Sequence, residues 1–541
     1  MKFCSIILLF SLLLRACTQQ APATEKPAGE DHPAGDQTYH PAQLRPILDR
    51  QQKAAFSFFY EGADPVSGMA LEGNNRGNTI TIGGSGFGAM ALVVGMERGW
   101  ITRAQGIERI QKMLHFLETA ARYKGAWSHW HNPDGTPAPF GNQVAAGDLV
   151  ETSFLLEGLL VVYEYLDQDN DAEKDIRSRI DALYDSVDWA GYTGTQGDAL
   201  YWIWHSDKDR YELKITGWNE ALVTYLLALG ARKNAIAREV YENGWNVPVF
   251  KGRSVNGYPF PLGTEQKGGP LFFSHYSFLG FDPHQMADDK AWYWEQNLSH
   301  TLLNRHYCLY EAPAQHAYGP GLWGLTACYG AGSRDFYSAR SPQNDDGVLA
   351  PTAALSSFPY TPFYSAQVLV TLNQLPDLQG TYGLADSYMP SERKATRNHL
   401  AIDQGPMVVM MENYRSGLIW SLFMRNERVR QALSRAGMQK PALQEGFPYV
   451  AVDRRTGSAD LMAHPDREMY ELEVFANAAG LAQCSVKLQG SGQTVREFDA
   501  HVQAGVNRLS FDDTRLTRGE KYLISVRLPS GTRCELPTVL H

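Results

Sequence analysis

A chain of 541 residues, 44% hydrophobic and 20% charged, holds material for one large folded domain and a smaller one. A formal charge of −10, with no Lys/Arg cluster along the chain, argues against nucleic acid or any other polyanion as a partner. Aromatics are the compositional signal, with 12 Trp and 27 Tyr. Trp127, Trp130, Trp202 and Trp204 fall in Gly- and Asn-rich loops, where flat rings suit sugar stacking, although such rings also fill cores.

At the N-terminus, Lys2 precedes an apolar run from Ile6 to Leu14 that is too short to span a bilayer as a permanent helix. It reads as a targeting segment, outside the fold. Leu14-Arg15-Ala16-Cys17 has the form of a bacterial lipobox, which makes residues 1–17 a lipoprotein signal with Cys17 as the lipidated residue. Arg15 is unusual within that box, so cleavage by ordinary signal peptidase is the alternative. Residues 18–40, rich in Ala, Pro, Gly and Gln, form a flexible tether. Thr18 stands where an Asp would retain a lipoprotein at the inner membrane, which points to the outer membrane of a bacterial envelope. The expectation is a monomer that meets the membrane only through its lipid. Cys308, Cys328, Cys484 and Cys534 fit no zinc spacing and are too sparse for a disulfide framework. Cys484 and Cys534 are left either as a pair or as free thiols.

From 41 to 445 apolar residues recur at spacings of three and four, over 43–60, 86–98, 103–122, 147–167 and 171–188. The pattern continues over 217–230, 233–243, 287–306, 348–374 and 404–425, separated by loops heavy in Gly, Pro, Asn and aromatics. About a dozen helices joined by long loops predict an all-α domain of paired helices, an (α/α) toroid. The pattern alone equally fits an irregular helical array. From 446 to 541 the character changes. Tyr470–Phe475, Cys484–Leu488, Val506–Phe511 and Tyr522–Leu528 alternate apolar and polar residues between turn-rich links, which predicts a small all-β sandwich, accessory or structural in role.

Three acids stand out within the helical region. Asp148 and Glu151, in Ala146-Gly147-Asp148-Leu149-Val150-Glu151-Thr152, are spaced i, i+3 at a helix start, so both carboxylates share one face. The same spacing suits a capping pair that satisfies free amides, and on the residues alone that reading leads. Glu220 follows Gly217-Trp218-Asn219 and precedes an apolar run. It is either a first-turn charge on the dipole or a carboxyl at the mouth of a cleft, where burial would raise its pKa and suit it to donate a proton.

Other motifs carry less. Gly83-Gly84-Ser85-Gly86-Phe87-Gly88 fits neither the dinucleotide fingerprint nor a P-loop and reads as a close-packed helix entrance. His129-Trp130-His131 lacks a third ligand at a suitable spacing, so no metal or other cofactor is expected. No Gly-x-Ser-x-Gly elbow appears, which weakens an esterase reading.

Long stretches resemble the bacterial glucoamylase-like family that includes glycoside hydrolase family 144, the endo-β-1,2-glucanases. They are Gly269-Pro270-Leu271-Phe272-Phe273-Ser274-His275-Tyr276-Ser277-Phe278, Trp323-Gly324-Leu325-Thr326-Ala327, and Asp345-Asp346-Gly347-Val348-Leu349-Ala350-Pro351-Thr352. Ser356-Ser357-Phe358-Pro359-Tyr360, Leu400-Ala401-Ile402-Asp403-Gln404-Gly405-Pro406, Glu412-Asn413 and Arg415-Ser416-Gly417-Leu418 complete the set. The resemblance implies an (α/α)6 toroid that hydrolyses β-1,2-linked glucose chains related to sophorose. It puts the family's candidate acids, an Asp-x-x-Glu pair and a later Glu, on Asp148, Glu151 and Glu220. The loops around 383–388 and 329–340 depart from the family pattern, and such loops would shape the sugar subsites.

The mechanism expected from these residues places two carboxyl groups across the scissile bond. Glu220 protonates the leaving oxygen, and Asp148 or Glu151 activates water or fixes sugar hydroxyls. The resemblance suggests inversion, which wants the working carboxylates about 6.5–9.5 Å apart. Trp127, Trp204, Trp218, His275 and Tyr276 are candidate sugar contacts; Asp346 and Asp403 either bond sugar or brace loops. Two rival readings are transglycosylation by the same fold and a non-catalytic glycan-binding lipoprotein.

Overall fold

The computed structural model describes residues 41–141, 144–245, 253–256, 258–263, 267–440, 469–476, 479–502, 505–512, 516, 520–531 and 533–539. The expected signal with Cys17, the tether at 18–40 and the domain boundary at 445/446 lie outside these residues.

The described helices of the first region are Pro41–Tyr60 (α1), Ile82–Glu97 (α2), Arg103–Thr119 (α3), Leu149–Tyr165 (α4) and Asp171–Asp185 (α5). They continue with Leu222–Gly230 (α6), Arg238–Gly244 (α7), Tyr293–His306 (α8), Pro351–Leu355 (α9) and Pro362–Asn373 (α10). Ala401–Ser416 (α11), Leu418–Arg425 (α12) and Glu427–Ala436 (α13) close the series. Helices α2 and α4 are apolar nearly all round, as buried helices must be. Helices α5 and α13 are amphipathic and cap with Asn170 and Asn426.

Glycine sets how closely the buried helices approach. A Cβ at Gly86 would come within 2.1 Å of the Phe154 carbonyl oxygen, and one at Gly158 within 2.0 Å of that of Gly86. Gly83 likewise abuts Glu151, so α2 and α4 run parallel and in contact, backbone to backbone. Gly84 lies against Ala401 and Gly405 against Phe87, which sets α11 parallel to α2 on its other side. The N-termini of α4, α2 and α11 therefore share one end, and α6 packs on α4. At the other end, Arg98 grips Glu412 through Nε and Nη2 at 2.8 and 2.7 Å, and Ser416 Oγ donates to the same carboxylate at 2.6 Å.

Where elements differ from expectation, proline and glycine account for most of it. The stretch 348–374 is two helices, α9 and α10, separated by Ser356–Thr361; Pro359 and Pro362 each lack the N–H that a continuous helix needs. The stretch 404–425 breaks at Gly417, which takes φ 68°. Helices α6, α7 and α8 start about five residues later than their apolar pattern begins.

In the second region, Met469–Ala476 pairs antiparallel with Gly505–Asp512. A second sheet runs in the order Thr494–Val502, Gly480–Leu488, Lys521–Arg527, Arg533–Val539. Val474 and Leu509 of the first sheet share a buried cluster with Ala482, Val486, Ile524 and Val526 of the second. Thr494–Val502 escaped the sequence reading because its exposed face alternates Thr494, Glu497, Asp499 and His501 with only partly buried neighbours. Cys484 is a buried free thiol. Val526 stands opposite both Cys484 and Cys534, so two strand spacings, ~9.5 Å, separate those backbones, beyond the reach of a disulfide.

Candidate active site

Asp148 ends a short strand, Ala146–Asp148, that pairs with Tyr201–His205, itself paired with Arg210–Lys214. Sequence periodicity did not foresee this hairpin. The strand delivers Asp148 to the N-cap of α4, where Oδ1 accepts the Glu151 N–H at 3.0 Å. The capping reading is thus right for one oxygen, and caps are worth about 1 kcal/mol. The other oxygen, Oδ2, lies 2.8 Å from His129 Nδ1. Glu151, in the first turn of α4, accepts the Gly83 N–H through Oε2 at 2.9 Å, while its Oε1 stands 3.9 Å from the same imidazole nitrogen. His129 stacks on Phe140 with ring centres 3.8 Å apart. Burial pulls the imidazolium down, but Glu151 and Asp148 outweigh it and lift His129 to about 9. For Glu151 burial is the larger effect and pushes the carboxyl up to about 7, against the pull of His129.

Glu220 lies in the turn two residues before α6. Ser277 fixes that turn, its Oγ donating to the Glu220 carbonyl and accepting the Val223 N–H at 3.0 Å. Burial drives the Glu220 carboxyl up to about 7, and the charges of Glu151 and Asp148 push in the same direction. Glu151 and Asp148 therefore act on Glu220, so the three acids singled out in the sequence lie close enough for their charges to interact.

A second acidic group was not assembled by sequence reasoning. Asp403 sits in the first turn of α11, buried, and neither of its oxygens receives an N–H or hydroxyl donor among the described residues. Its neighbour is the carboxyl of Asp386, buried as well, whose Oδ2 accepts the Tyr329 N–H at 2.6 Å. Two carboxyls in contact cannot both ionise. Burial and Asp386 hold Asp403 well above the usual range, and burial lifts Asp386 to about 6. Glu72, buried with Oε2 unpartnered, lies in the field of both Asp403 and Asp386 and also of Glu151 and His129. The Tyr276 hydroxyl feels Asp403, Tyr337, Glu220 and Glu151 together. The two groups thus lie within reach of each other's charge, and the Tyr276 hydroxyl feels acids of both. Among the described residues, no cluster of three or more His, Cys, Asp or Glu side chains could hold a metal ion.

The candidate sugar contacts divide. Trp127 is wholly buried, its Nε1 donating to the Leu117 carbonyl at 3.1 Å, and belongs to the core. His275 is buried too, bonded to Ser357 Oγ at 2.9 Å and held neutral near 3 by burial and His300. Both are closed off from solvent in the structure, Trp127 on a short strand and His275 between two 3-10 turns. Trp218 packs among Trp245, Phe278, Tyr293 and His300. Trp204 is half-buried, with the Lys124 ammonium 4.4 Å from its ring centre. Asp346 grips buried Arg340 at 2.7 and 3.1 Å and so braces a loop. Tyr276 and Asp403 lie within the field of the acid groups. His129 carried a sequence signal, the His-Trp-His motif, but only as a question about metal. Glu72 and Asp386 carried none, because distant loops bring them in.

Residues 212–427 match the glycoamylase family. An exo-β-1,2-glucooligosaccharide sophorohydrolase (non-reducing end) of Parabacteroides distasonis is 39% identical over 428 residues, or 74% of this chain and 58% of that protein. The chain therefore spans less than two thirds of that relative. The structure of the endo-β-1,2-glucanase from Chitinophaga pinensis, a sophorotriose and glucose complex, is 43% identical with a TM-score of 0.70, covering 74% of this chain and 99% of that one. The structure of the β-1,2-glucanase from Parabacteroides distasonis is 38% identical with a TM-score of 0.69, covering 73% and 60%.

Proposed function

The chain belongs to the glucoamylase-like family of the bacterial endo-β-1,2-glucanases, and on that premise we propose that it is a glycoside hydrolase acting on β-1,2-linked glucose chains. The observation that carries this reading is two groups of buried acids within reach of each other's charge at the N-terminal end of parallel helices, and we take the space between them as a sugar-binding hollow. Glu220, lifted to about 7, keeps a proton to donate at neutral pH. We read the helices as an (α/α)6 toroid with α4, α2 and α11 on its inner ring, the residues from 446 as an accessory β-sandwich, and Cys17 as a lipid anchor at the outer membrane. Failure of Cys17→Ala to abolish metabolic labelling with a fatty acid would remove the anchor from this reading.

Glu220 protonates the glycosidic oxygen as the bond breaks. Of the two sequence candidates for water activation, Asp148 is engaged at both oxygens, which leaves Glu151 with Oε1 open. A second assignment is favoured by the bare oxygens of Asp403: that pair activates water from the opposite wall, while Asp148 and Glu151 hold sugar hydroxyls. With the Asp403 pair as base, water attacks from the face opposite the donor and the anomeric centre is inverted.

The decisive experiment is Glu220→Gln assayed on β-1,2-glucan and on an aryl β-sophoroside with an acidic leaving group. The variant is expected to lose about 10²–10⁴-fold on glucan and to recover much of that loss on the aryl substrate, which needs no proton. Near-full activity on glucan would end the assignment of Glu220. New linkages in place of reducing ends would mark transfer rather than hydrolysis.

A further inference from the structure

The loop between Cys328 and Ser338 is built as a hairpin. Its stem pairs Ala327–Cys328 with Ser338–Ala339. Tyr329 and Tyr337 stand where the stem opens, their rings edge to face with centres 5.9 Å apart. Arg340, wholly buried, locks the stem. It bonds Asp346 twice, donates to the Cys328 carbonyl at 2.8 Å and reaches the Phe336 carbonyl at 3.3 Å. Charge-assisted bonds of this kind fix geometry.

The hairpin is tied to both sides of the hollow. On one side the Tyr329 N–H holds Asp386, and the Ser333 N–H donates to Glu392 at 3.1 Å. On the other, the Arg76 guanidinium lies 5.6 Å from the Tyr329 ring centre and 5.3 Å from that of Trp130, next to His129. Tyr337 is 46% exposed, and burial with the charges of Asp403, Glu72 and Asp386 holds its phenol well above the usual tyrosine range. The ring is thus partly exposed and paired with Tyr329, whose N–H holds Asp386, which sets it at the edge of the acid group. A rigid stem cannot fold such a ring away, so a saccharide must arrange itself around it.

Resting on the hydrolase reading above, we propose that Tyr337 is a specificity-determining residue: its ring closes one side of the acid-lined hollow, so a β-1,2-glucan enters by a free end and leaves as short units of fixed length. An internal stretch of chain would have to run through the space the ring fills. The free face of the ring offers the terminal sugar an apolar platform.

The test uses the full-length protein with Tyr337→Ala and Tyr337→Phe, on linear and on cyclic β-1,2-glucan, with products followed by chromatography from the earliest times. Wild type and Tyr337→Phe are expected to release one dominant short product and to leave rings intact. Tyr337→Ala is expected to give a ladder of intermediate lengths and to open rings at least tenfold faster than wild type. A wild-type ladder, ring opening by wild type at the linear rate, or an unchanged product profile in Tyr337→Ala would overturn the proposal. So would an inactive Tyr337→Ala beside a normal Tyr337→Phe, which would make the ring a substrate holder rather than a barrier. A wild-type protein that is folded by circular dichroism but cleaves no β-1,2-glucan at all sinks the hydrolase reading instead.

Discussion

The two walls of the hollow use the same side chains under opposite conditions. On the α4 wall, Asp148 and Glu151 are supplied with donors: a helix amide, the Gly83 N–H and a His129 held charged. On the α11 wall, Asp403 receives no such donor and must share a proton with Asp386, whose one backbone donor is Tyr329. Burial lifts carboxyls on both walls, so burial alone does not distinguish them. What differs is who satisfies the oxygens. A carboxylate already bonded by the fold is braced, whereas one left bare at this depth waits for a donor that the substrate can bring, since every sugar hydroxyl is one.

The largest effect that can break this contrast comes from swapping Asp for Asn on each wall. Asp403→Asn should lower kcat on β-1,2-glucan by about 10²–10⁴-fold, because an amide can neither share the proton nor accept one from water. Asp148→Asn keeps a side-chain oxygen for the Glu151 N–H and should cost about tenfold, within what one lost charge partner explains. The thermal midpoint of Asp403→Asn should rise above pH 7, where the new amide donates to Asp386 and ends the crowding of two acids. Equal losses of kcat on the two walls would erase the distinction.

A smaller effect, in stability, sharpens it. Glu151 and Glu220 are raised to about 7 and Asp386 to about 6, so each contributes stability that is complete below the ordinary carboxylate range. That contribution is lost as pH climbs through 6 and 7, because the unfolded chain releases those protons earlier. His129, raised to about 9, adds stability that is full below its usual value near 6.5 and is lost as pH rises through 9. The thermal midpoint should therefore fall steadily from about pH 5 to 9. Glu151→Gln and Glu220→Gln should flatten the part between pH 5 and 7, and His129→Gln the part above it. Hydrolysis should fade above pH 7 as Glu220 loses its proton. A midpoint that rises over this range would contradict the burial of these groups.

Only one wall was legible in the sequence. Asp148 and Glu151 are close in the chain, and i, i+3 spacing at a helix start shows without any fold. Glu220 could be flagged by the apolar run that follows it. Asp386 and Asp403 meet only because a loop folds back on the first turn of α11, and Glu72 joins them from the far end of the region, so no local pattern links the three. Most helices were visible in their periodicity, while the hairpin Tyr201–His205/Arg210–Lys214 was hidden by partly buried residues on both faces. Trp127 misled because composition sees an aromatic in a Gly-rich loop but not which way its short strand turns it. The glycines of α2 were read as close packing, and the same packing is what sets Glu151 against the Gly83 amide.

The smallest expected effect supplies a reference for both walls. Glu157 lies on α4 beyond Glu151, wholly buried, with burial holding its carboxyl well above the usual range. Its Oε1 accepts the Gly280 N–H at 2.9 Å, its Oε2 has no partner, and no other acid shifts it. It is buried like Asp403 but stands apart from the hollow. Glutamine is nearly the same shape and keeps an oxygen for Gly280, so Glu157→Gln should change stability by less than about 1 kcal/mol at pH 6 and leave kcat and product lengths as they were. As pH rises above the ordinary carboxylate range the variant should gain on the wild type, since it has no buried proton to lose. If Glu157→Gln lowered kcat as far as Asp403→Asn, then loss of any buried acid from these helices would be enough to explain the result, and bare oxygens in the hollow would hold no special place.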